Sequence, residues 1–541
     1  MLLPSAALPA RRRGRALQHA LRDAITSGRI AGGTRLPASR ELAADLGVSR
    51  GLITDAYEQL TAEGYLRSSR GSGTWVSGAV RCAKPSARKP GVAAAGPPAG
   101  FLPGTPDLAL FPRTAWAAAH RRVLARLPHH TLGYPDPRGL PELREALAGL
   151  LTRRRGVVAD PERIVICSGV AQALALLGAV LAAHGDRPLL TPEGAAPAGL
   201  PRGRDATDAR GGTAVEPDAH RGDRWWAGAD SVGQVPRVAP TGAGWGGVPP
   251  GGGGRPRLAL EDPGTAYQGL FASVGVEAVP LPVGGAGLDP AALSAAGVRA
   301  AVLTPSHQFP SGIAYSPQRR AALLDWARAT GGLLIEDDDD GDFRYDRAPV
   351  GVLQGLDPAR VAYAGSASKS LAPGLRLGWL VVPQHLVGRV VEHKRAMDLG
   401  HPVLDQALFA DLIERGEYDR HLRRCQRAYR ERRDALVAAL ATEFPGTEVT
   451  GIAAGLHVIA RLPARYGPQR RFLARARAAG VALAPLTSYA CTAGGGADEG
   501  DGAGAGSDEG DGDGVRLVLG YAHLSPGRIA AAVRHLRDLQ R

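Results

Sequence analysis

The chain has 541 residues, 44% of them hydrophobic, so it exceeds an ordinary single domain and we expect two or three domains with a large core. No uninterrupted apolar run is long enough to span a bilayer, and the first charges follow the apolar start, the reverse of a secretory signal, so we expect a cytoplasmic protein with no membrane contact. No metal site is predicted, because the four cysteines lack the spacing of metal ligands or of a disulfide framework.

The formal net charge of +13 is concentrated near the N-terminus. Residues 1–90 hold fifteen lysine or arginine residues against six acidic ones. Such an excess suits a polyanion, and nucleic acid is the obvious partner. Biased genome composition is the alternative, since the whole chain is rich in glycine, proline and arginine.

The segment from about residue 12 to residue 78 predicts three helices followed by a hairpin. Ser39 is the predicted N-cap of a helix over Arg40–Leu46, and Ser49 is the predicted N-cap of a helix over Arg50–Glu63. Only the turn L-G-V-S joins them, which is the spacing of a helix-turn-helix. Two short apolar segments then flank S-R-G-S-G, which predicts a wing hairpin with a basic tip.

The string G-R-I-A-G-G-T-R-L-P-A-S-R-E-L-A-A-D-L-G-V-S-R-G-L-I-T-D-A-Y-E-Q-L-T-A-E-G-Y-L closely resembles the winged helix-turn-helix of the GntR family. The resemblance implies a double-stranded DNA operator as partner. Arg50, at the start of the recognition helix, can reach a guanine edge, whereas Arg35 and Arg70 suit phosphates. A solvated basic helix face is the alternative. The implied DNA-binding residues are Arg35, Arg40, Ser49, Arg50, Thr54, Arg70 and Gly71.

Residues 79–100 are rich in proline, alanine and glycine and lack periodicity, which predicts a basic linker between a DNA-binding domain over 1–78 and a second domain over 101–541. Two segments of the second domain interrupt its periodic pattern of strands and helices. Residues 188–256 and the acidic, glycine-rich residues 491–514 are predicted to be disordered inserts.

An anion site is predicted after the first buried strand of the second domain, at R-I-V-I-C-S-G-V-A-Q. A glycine turn at a helix N-terminus offers free backbone N–H groups to a phosphate. The candidates are Ser168, Gly169, Val170 and Ala171, with Gln172 nearby. Strand-glycine-helix turns are also common in α/β folds without any ligand.

Two polar groups follow later buried strands. His307 and Gln308, in T-P-S-H-Q-F-P-S-G, are candidates to bond a ligand, although a histidine after a strand is often only a turn residue. Asp337 ends the strand of L-L-I-E-D-D-D-D, where a carboxylate can hold a ring nitrogen protonated. A solvated acidic loop or a weak cation site is the alternative.

Lys369 stands in S-A-S-K-S-L-A-P-G-L-R-L-G-W, between small hydroxyl residues and seven positions before Arg376. A lysine so placed is a candidate nucleophile for an aldehyde cofactor, and the hydroxyls and arginine can hold a phosphate. The alternative is an ordinary lysine in a solvent-exposed loop.

These fourteen residues resemble the cofactor-lysine segment of fold-type I pyridoxal-phosphate enzymes. Most of the chain, apart from the two predicted inserts, resembles MocR/GabR-type regulators, which join a GntR module to an aminotransferase-like body. The resemblance implies a large α/β/α domain with a mostly parallel sheet, a smaller C-terminal α/β lobe, and a homodimer. It implies a Schiff base of pyridoxal 5'-phosphate on Lys369, with Asp337 as partner of the pyridine nitrogen. The implied cofactor-binding residues are Ser168, Gly169, Val170, Ala171, His307, Asp339, Ser366, Ser368 and Arg376.

The chain departs from this family at three positions. Relatives usually have tyrosine at Thr265, often arginine at Tyr267, and tyrosine at Asp339, so these changes fall where catalysis and ligand choice are set. Arg516 matches the arginine that holds a carboxylate in relatives, which makes Arg516, Thr265 and Tyr267 the predicted substrate or effector residues.

Three functions follow from the resemblance. A transcriptional regulator that senses an amine, an amino acid or a vitamin B6 compound is favoured by the DNA-binding module and the altered ring contacts. An active aminotransferase with an appended DNA-binding module uses the same lysine. A remnant without cofactor is disfavoured, because Lys369, Asp337 and Arg376 are all present.

Overall fold

The computed structural model describes residues 13–69, 73–78, 99–185, 254–338, 340–345, 351–491 and 514–540. The chain divides into two compact units, Met1–Gly96 and Pro97–Arg541. Each unit has its own buried apolar core, so each is described by itself.

The N-terminal unit is a winged helix. Its three helices bury Leu17, Leu21, Ile53 and Leu60 in one small core, and its three short strands form an antiparallel sheet in the order β1-β3-β2. The elements are α1 (Arg13–Thr26), β1 (Arg35–Leu36), α2 (Ser39–Leu46), α3 (Arg50–Ala62), β2 (Leu66–Ser69) and β3 (Gly73–Val76).

The caps of the helix-turn-helix agree with the sequence at one helix and differ at the other. Ser49 is the N-cap of α3, and its side chain accepts a hydrogen bond from the backbone N of Leu52 at 3.3 Å. Ser39, however, is the first residue of α2 and not its cap, so that prediction is wrong. Ala38 is the N-cap, because Glu41 reaches back to accept from the Ala38 backbone N at 3.1 Å and replaces the missing side-chain cap.

The larger unit is built on an eight-stranded mixed sheet in the order β5-β12-β11-β10-β9-β6-β7-β8. The pairs among β11, β10, β9, β6 and β7 are parallel, while β12 is antiparallel to both its neighbours and β8 is antiparallel to β7. The strands are β5 (Ile164–Cys167), β6 (Arg257–Asp262), β7 (Glu277–Gly284), β8 (Gly287–Leu288), β9 (Ala300–Leu303), β10 (Leu333–Asp337), β11 (Val361–Ser366) and β12 (Gly378–Val381).

Helices cover the sheet because its central strands are apolar on both faces, as parallel sheets require. One face packs on the apolar helix α6, and the opposite face packs on α9 through Leu323 and Trp326. The helices before the C-terminal lobe are α4 (Arg113–Arg126), α5 (Pro141–Arg155), α6 (Val170–His184), α7 (Gln268–Ser273), α8 (Pro290–Ala295), α9 (Pro317–Thr330), α10 (Val387–Asp398) and α11 (Val403–Glu414).

The C-terminal lobe is a smaller α/β layer. Its antiparallel sheet has the order β13-β14-β17-β16, and a separate short strand, β15, pairs in parallel with β4, the first strand of the unit. The elements are β4 (Ala99–Gly100), α12 (Glu417–Glu443), β13 (Glu448–Thr450), β14 (His457–Leu462), α13 (Gln469–Ala478), β15 (Val481–Ala482), β16 (Ala484–Pro485), β17 (Val515–Gly520) and α14 (Pro526–Asp538).

Two predicted segment boundaries can be compared with these elements. The predicted linker ends two residues late, since Ala99 and Gly100 already pair with β15. Most of the predicted inserts lie outside the described residues. Among the helices that the structure describes, none is long and apolar enough to cross a membrane.

Candidate functional site

Lys369 lies in the turn that follows β11, at one edge of the large sheet. Its Nζ donates a hydrogen bond to the backbone O of Gly104 at 2.9 Å. Gly104 has a φ of +73°, and a Cβ there would lie 3.3 Å from the amine, so glycine allows this close approach. The amine is therefore held by backbone on one side, with the hydroxyl residues Ser366 and Ser368 in the same turn.

A phosphate cradle lies at the N-terminus of α6. Gly169, with a φ of +100°, turns β5 into the helix, and the first N–H groups of α6 have no partner within the helix. The guanidinium of Arg376 packs against this turn. It donates to the backbone O of Ser168, and a Cβ at Gly169 would lie 3.1 Å from its Nη2. The anion-binding groups predicted from Ser168 and Arg376 are thus brought together.

The backbone of Arg376 is strained. Its φ is +52°, a left-handed conformation that a non-glycine residue adopts at a cost of about 1–3 kcal/mol. The rest of the structure must offset this cost. Strain of this kind is typical of functional sites, and here it directs the arginine toward the α6 turn.

A polar network behind the cradle was not predicted. Gln172 accepts from the Ser168 backbone N at 2.7 Å and donates to Asp398 at 2.7 Å, and Asp398 accepts from buried Lys394 at 2.6 Å. Burial, followed by the charge of Lys394, lowers the pKa of nearby His401 to about 4. Of these residues, only Gln172 could be identified from the sequence, because it lies in the first turn of α6. Lys394 and Asp398 lie on the distant helix α10, and His401 lies in the turn that follows it.

Asp337 stands at the end of β10, buried, where the sequence places it. Tyr267 donates its hydroxyl to Asp337 Oδ2 at 3.3 Å. Tyr267 was predicted to contact an effector, and its hydroxyl is instead directed at the carboxylate. This contact could not be read from the sequence, because seventy residues separate the two side chains.

The other aspartates of this run have separate tasks. Asp338 forms a buried ion pair with Arg155 at 2.6 Å and accepts from the Tyr363 hydroxyl at 2.8 Å. Asp340 accepts a hydrogen bond from His307 Nδ1 at 3.0 Å. Asp339, the predicted partner of the phenolic oxygen, lies outside the described residues.

His307 and Gln308 are held by protein groups. The Gln308 amide donates to Glu261 and to the backbone oxygens of Pro263 and Phe309, while its oxygen accepts from Ser311, and a ligand role of Gln308 stays a prediction. His307 Nε2 is buried without a hydrogen-bond partner among the described residues. A ligand contact of His307 stays a prediction.

Asp340 lies within the electrostatic reach of Lys369. Burial alone would raise the pKa of Asp340, but the charge and hydrogen bond of His307, followed by His457 and Lys369, outweigh burial and lower it. The pKa of His457 falls to about 4, first because it is buried and then because His307 is adjacent. A histidine and carboxylate cluster thus lies beside the lysine.

The predicted effector residues lie on different elements. The Thr265 backbone O accepts from the Tyr267 backbone N at 2.8 Å, so the two belong to one tight turn after β6. Arg516 lies on β17, opposite Arg461 of β14, and its backbone N donates to Gln469 at 3.0 Å. The carboxylate-binding role of Arg516 stays a prediction.

The N-terminal unit presents a second site. Arg40 and Arg50 are exposed at the first turns of α2 and α3, and Thr54 lies one turn further along α3. Arg35 extends along the sheet, over the Trp75 ring at 5.9 Å and toward Gly73. Arg70 and Gly71 lie outside the described residues. The described arginines are therefore placed at the helix N-termini and on the sheet that a DNA duplex would meet.

The larger unit fits a phosphorylated pyridine aldehyde on two observations. The cradle at Gly169 has backbone N–H groups and a guanidinium where a phosphate needs them, and a Cβ would fill it. A buried carboxylate ends β10, and a lysine lies in the turn that follows the neighbouring parallel strand β11. Such a group would supply an aldehyde for the lysine and a ring nitrogen for the carboxylate.

Comparison with known families gives two matches. Residues 14–76 match the family described as bacterial regulatory proteins, gntR family, and residues 104–193 and 266–497 match aminotransferase class I and II. The second match covers more than half of the chain. Its fold implies binding of pyridoxal phosphate.

Individual relatives agree with this division. The chain is 30% identical over 490 residues to the HTH-type pyridoxine biosynthesis transcriptional regulator PdxR of Corynebacterium glutamicum, covering 90% of each protein. It is 31% identical to the probable rhizopine catabolism regulatory protein MocR of Rhizobium meliloti, covering 78% of this chain and 76% of that protein. The crystal structure of kynurenine aminotransferase from Pyrococcus horikoshii shares the fold, with a TM-score of 0.59 at 21% identity over 82% of this chain and 91% of that chain.

Proposed function

This chain belongs to the MocR-type transcriptional regulators, which join a GntR DNA-binding domain to an aminotransferase class I and II domain. From this membership we propose that the protein controls transcription by sensing an amine, an amino acid or a vitamin B6 compound at Lys369. The observation that carries the proposal is that Lys369 and the turn formed by Gly169 and Arg376 lie at neighbouring strand ends along one edge of one sheet, in the same chain as a winged helix.

The residues around Lys369 have distinct tasks in this proposal. Ser168, Gly169, Arg376 and the first N–H groups of α6 hold the phosphate of pyridoxal 5'-phosphate, and Asp337 holds a proton on its ring nitrogen. Bound pyridoxal phosphate supplies an aldehyde that reacts with amines and a ring that withdraws electrons. Arg516 holds a carboxylate of the effector with its planar fork.

Regulation requires that the larger unit have two states with different affinity for the effector. An effector shifts such an equilibrium only by its differential affinity for the two states, and the same coupling then changes the affinity for operator DNA. Arg35, Arg40, Ser49, Arg50 and Thr54 contact that DNA, with Arg50 reading a base edge and Arg35 a phosphate.

We also propose a homodimer formed through the larger unit. Tyr134 is 90% exposed and, together with Pro135, Val387, Val391 and Leu399, lines an open groove that also contains Asp136, Arg138 and Arg395. Several exposed apolar side chains that share one groove with polar residues suit a protein–protein contact. Two copies of the DNA-binding domain then suit an operator with two half-sites.

The function is tested with purified full-length protein and a DNA fragment that covers the region upstream of its gene. The protein should carry the visible absorbance of lysine-bound pyridoxal phosphate, and Lys369→Ala should lose it. Arg50→Ala should keep that absorbance and lose specific binding to the fragment. Absence of the absorbance from the native protein would refute the cofactor, and specific binding by Arg50→Ala would refute the assignment of the recognition helix.

An active aminotransferase is the second candidate, favoured by the joint presence of Asp337 at the end of β10 and Lys369 in the turn after the adjacent strand β11. Sustained conversion of an amino acid and a 2-oxo acid by the native protein, absent from Lys369→Ala, would establish it. Turnover that stops after one equivalent per site fits a sensor instead.

A further inference from the structure

Helix α13 of the C-terminal lobe has a purely basic outer surface. Phe472 and Ala476 bury one side of this ten-residue helix, and it contains no acidic residue. The opposite side carries four exposed arginines, here named the α13 arginine face. They are Arg470, Arg471, Arg475 and Arg477.

No acidic side chain neutralises this face among the described residues. From residue 449 to residue 497 the chain has six arginines and no aspartate or glutamate. Arg475 donates to the Leu539 backbone O and the Gln540 side chain at the end of α14, where the nearby carboxylates of Glu443 and Asp538 are bound by Arg537.

Other arginines of the larger unit have carboxylate partners. Arg122 pairs with Asp411, Arg155 with Asp338 and Arg328 with Asp357. On α13, by contrast, none of the four arginines has a carboxylate partner among the described residues, and the helix itself contains no acidic residue. Guanidinium groups in this number suit a polyanion whose phosphates they can contact in pairs.

The position of α13 points to DNA as that polyanion. The helix ends at Ala478, and β15 follows at Val481 and pairs with Ala99 of β4. Ala99, which twenty residues (79–98) join to the DNA-binding domain, therefore lies beside the strand that follows α13. Twenty residues span at most about 70 Å, a length of about 20 base pairs of duplex.

We propose that the α13 arginine face binds the phosphate backbone of DNA that flanks the operator, as a contact independent of base sequence. The proposal rests on the proposed function, since the DNA-binding domain must first bind its operator. The face then adds electrostatic affinity that depends on the length of the DNA and on salt, because each phosphate contact releases counterions.

The test compares full-length native protein with the triple variant Arg470→Ala, Arg471→Ala and Arg477→Ala. Arginine to alanine keeps helix propensity, and these three side chains have no carboxylate partner among the described residues, so the lobe should fold. Binding is measured by fluorescence anisotropy to two fragments, the operator alone and the operator with about 25 base pairs on each side, over a range of salt concentrations. The matched control is Arg420→Ala, Arg423→Ala and Arg427→Ala on α12, where the three arginines are also exposed.

The α13 variant should bind the long fragment about tenfold more weakly near 0.15 M salt, with a salt slope smaller by about two to three units, and should bind the short fragment like the native protein. The α12 control should match the native protein on both fragments. Native affinity of the α13 variant for the long fragment would overturn the proposal. Tighter binding by that variant would also overturn it, since that result is expected if the face holds the acidic residues 498–513 of the chain. Loss of all specific binding by the native protein would instead refute the proposed function.

Discussion

At the scale of single residues, the contact between Tyr267 and Asp337 is the finding that changes the site most. The hydroxyl donates to the carboxylate expected to hold a ring nitrogen, at 3.3 Å. A carboxylate that accepts a hydrogen bond is fixed in one orientation, and it is a weaker base than a carboxylate without a hydrogen-bond donor. Tyr267 is thus a positioning residue for Asp337.

Tyr267→Phe should weaken the affinity for pyridoxal phosphate about threefold to tenfold, because one hydrogen bond to a charged group is lost while the ring still packs on the core. The measurement is an absorbance titration of apoprotein with pyridoxal phosphate, with the melting temperature of the apoprotein as a control for folding. Unchanged affinity would show that Asp337 needs no support from Tyr267.

Burial of His457 should make the stability of the folded protein depend on pH. Its pKa in the folded state is about 4, mainly because it is buried, against about 6.5 when unfolded. Between these values the unfolded chain binds more protons, so stability is full above about pH 6.5 and falls as the pH drops toward 4.

His457→Gln should reduce this dependence, since glutamine keeps a donor for the Pro310 backbone O but does not titrate. The melting temperature measured from pH 7 to pH 4.5 should fall less steeply in the variant than in the native protein. Equal slopes would show that other groups, such as His401, carry the effect.

At the scale of elements, the N-terminus of α6 with Arg376 is the proposed phosphate site. The strained φ of Arg376 and the close approach at Gly169 leave little freedom for either group. If Arg376 contacts only the phosphate group, then its removal should weaken the binding of phosphorylated ligands and leave the binding of other ligands unchanged.

Arg376→Ala should therefore bind pyridoxal phosphate about tenfold to a hundredfold more weakly and bind pyridoxal, which has no phosphate, as the native protein does. Both affinities are measured by absorbance titration, with Arg389→Ala, an exposed arginine on α10, as the matched control. An equal loss for both ligands would indicate that Arg376 shapes the site and not the phosphate contact.

The sequence predicted these elements where local pattern decides them. The Ser49 cap, the glycine turns and the apolar runs of β5, β9 and β10 fix short segments, and Asp337 and Gly169 come with those segments, while Lys369 was predicted from its own motif. The hydrogen bonds that hold the neighbouring side chains in place were not predicted. Lys394 and Asp398 act on Gln172 across more than two hundred residues, and Gln308 fills its hydrogen bonds with groups from a neighbouring strand and its loop. Such contacts depend on the order of strands in the sheet, which local pattern does not contain.

At the scale of the whole molecule, the chain joins two separately packed units, a winged helix and an aminotransferase-like body. Each unit has its own buried core. The central claim is that occupancy of the Lys369 site changes the affinity for operator DNA.

The direct measurement of this claim is the operator affinity of the full-length protein, by fluorescence anisotropy, without cofactor, with pyridoxal phosphate, and with pyridoxal phosphate plus a panel of amino acids and short amines. For the native protein the account predicts a shift of at least about fivefold in one of these steps, the usual lower bound of allosteric coupling. Lys369→Ala should bind the operator specifically and show no shift. Equal affinity in every state of the native protein, or the same shift in Lys369→Ala, would contradict the account.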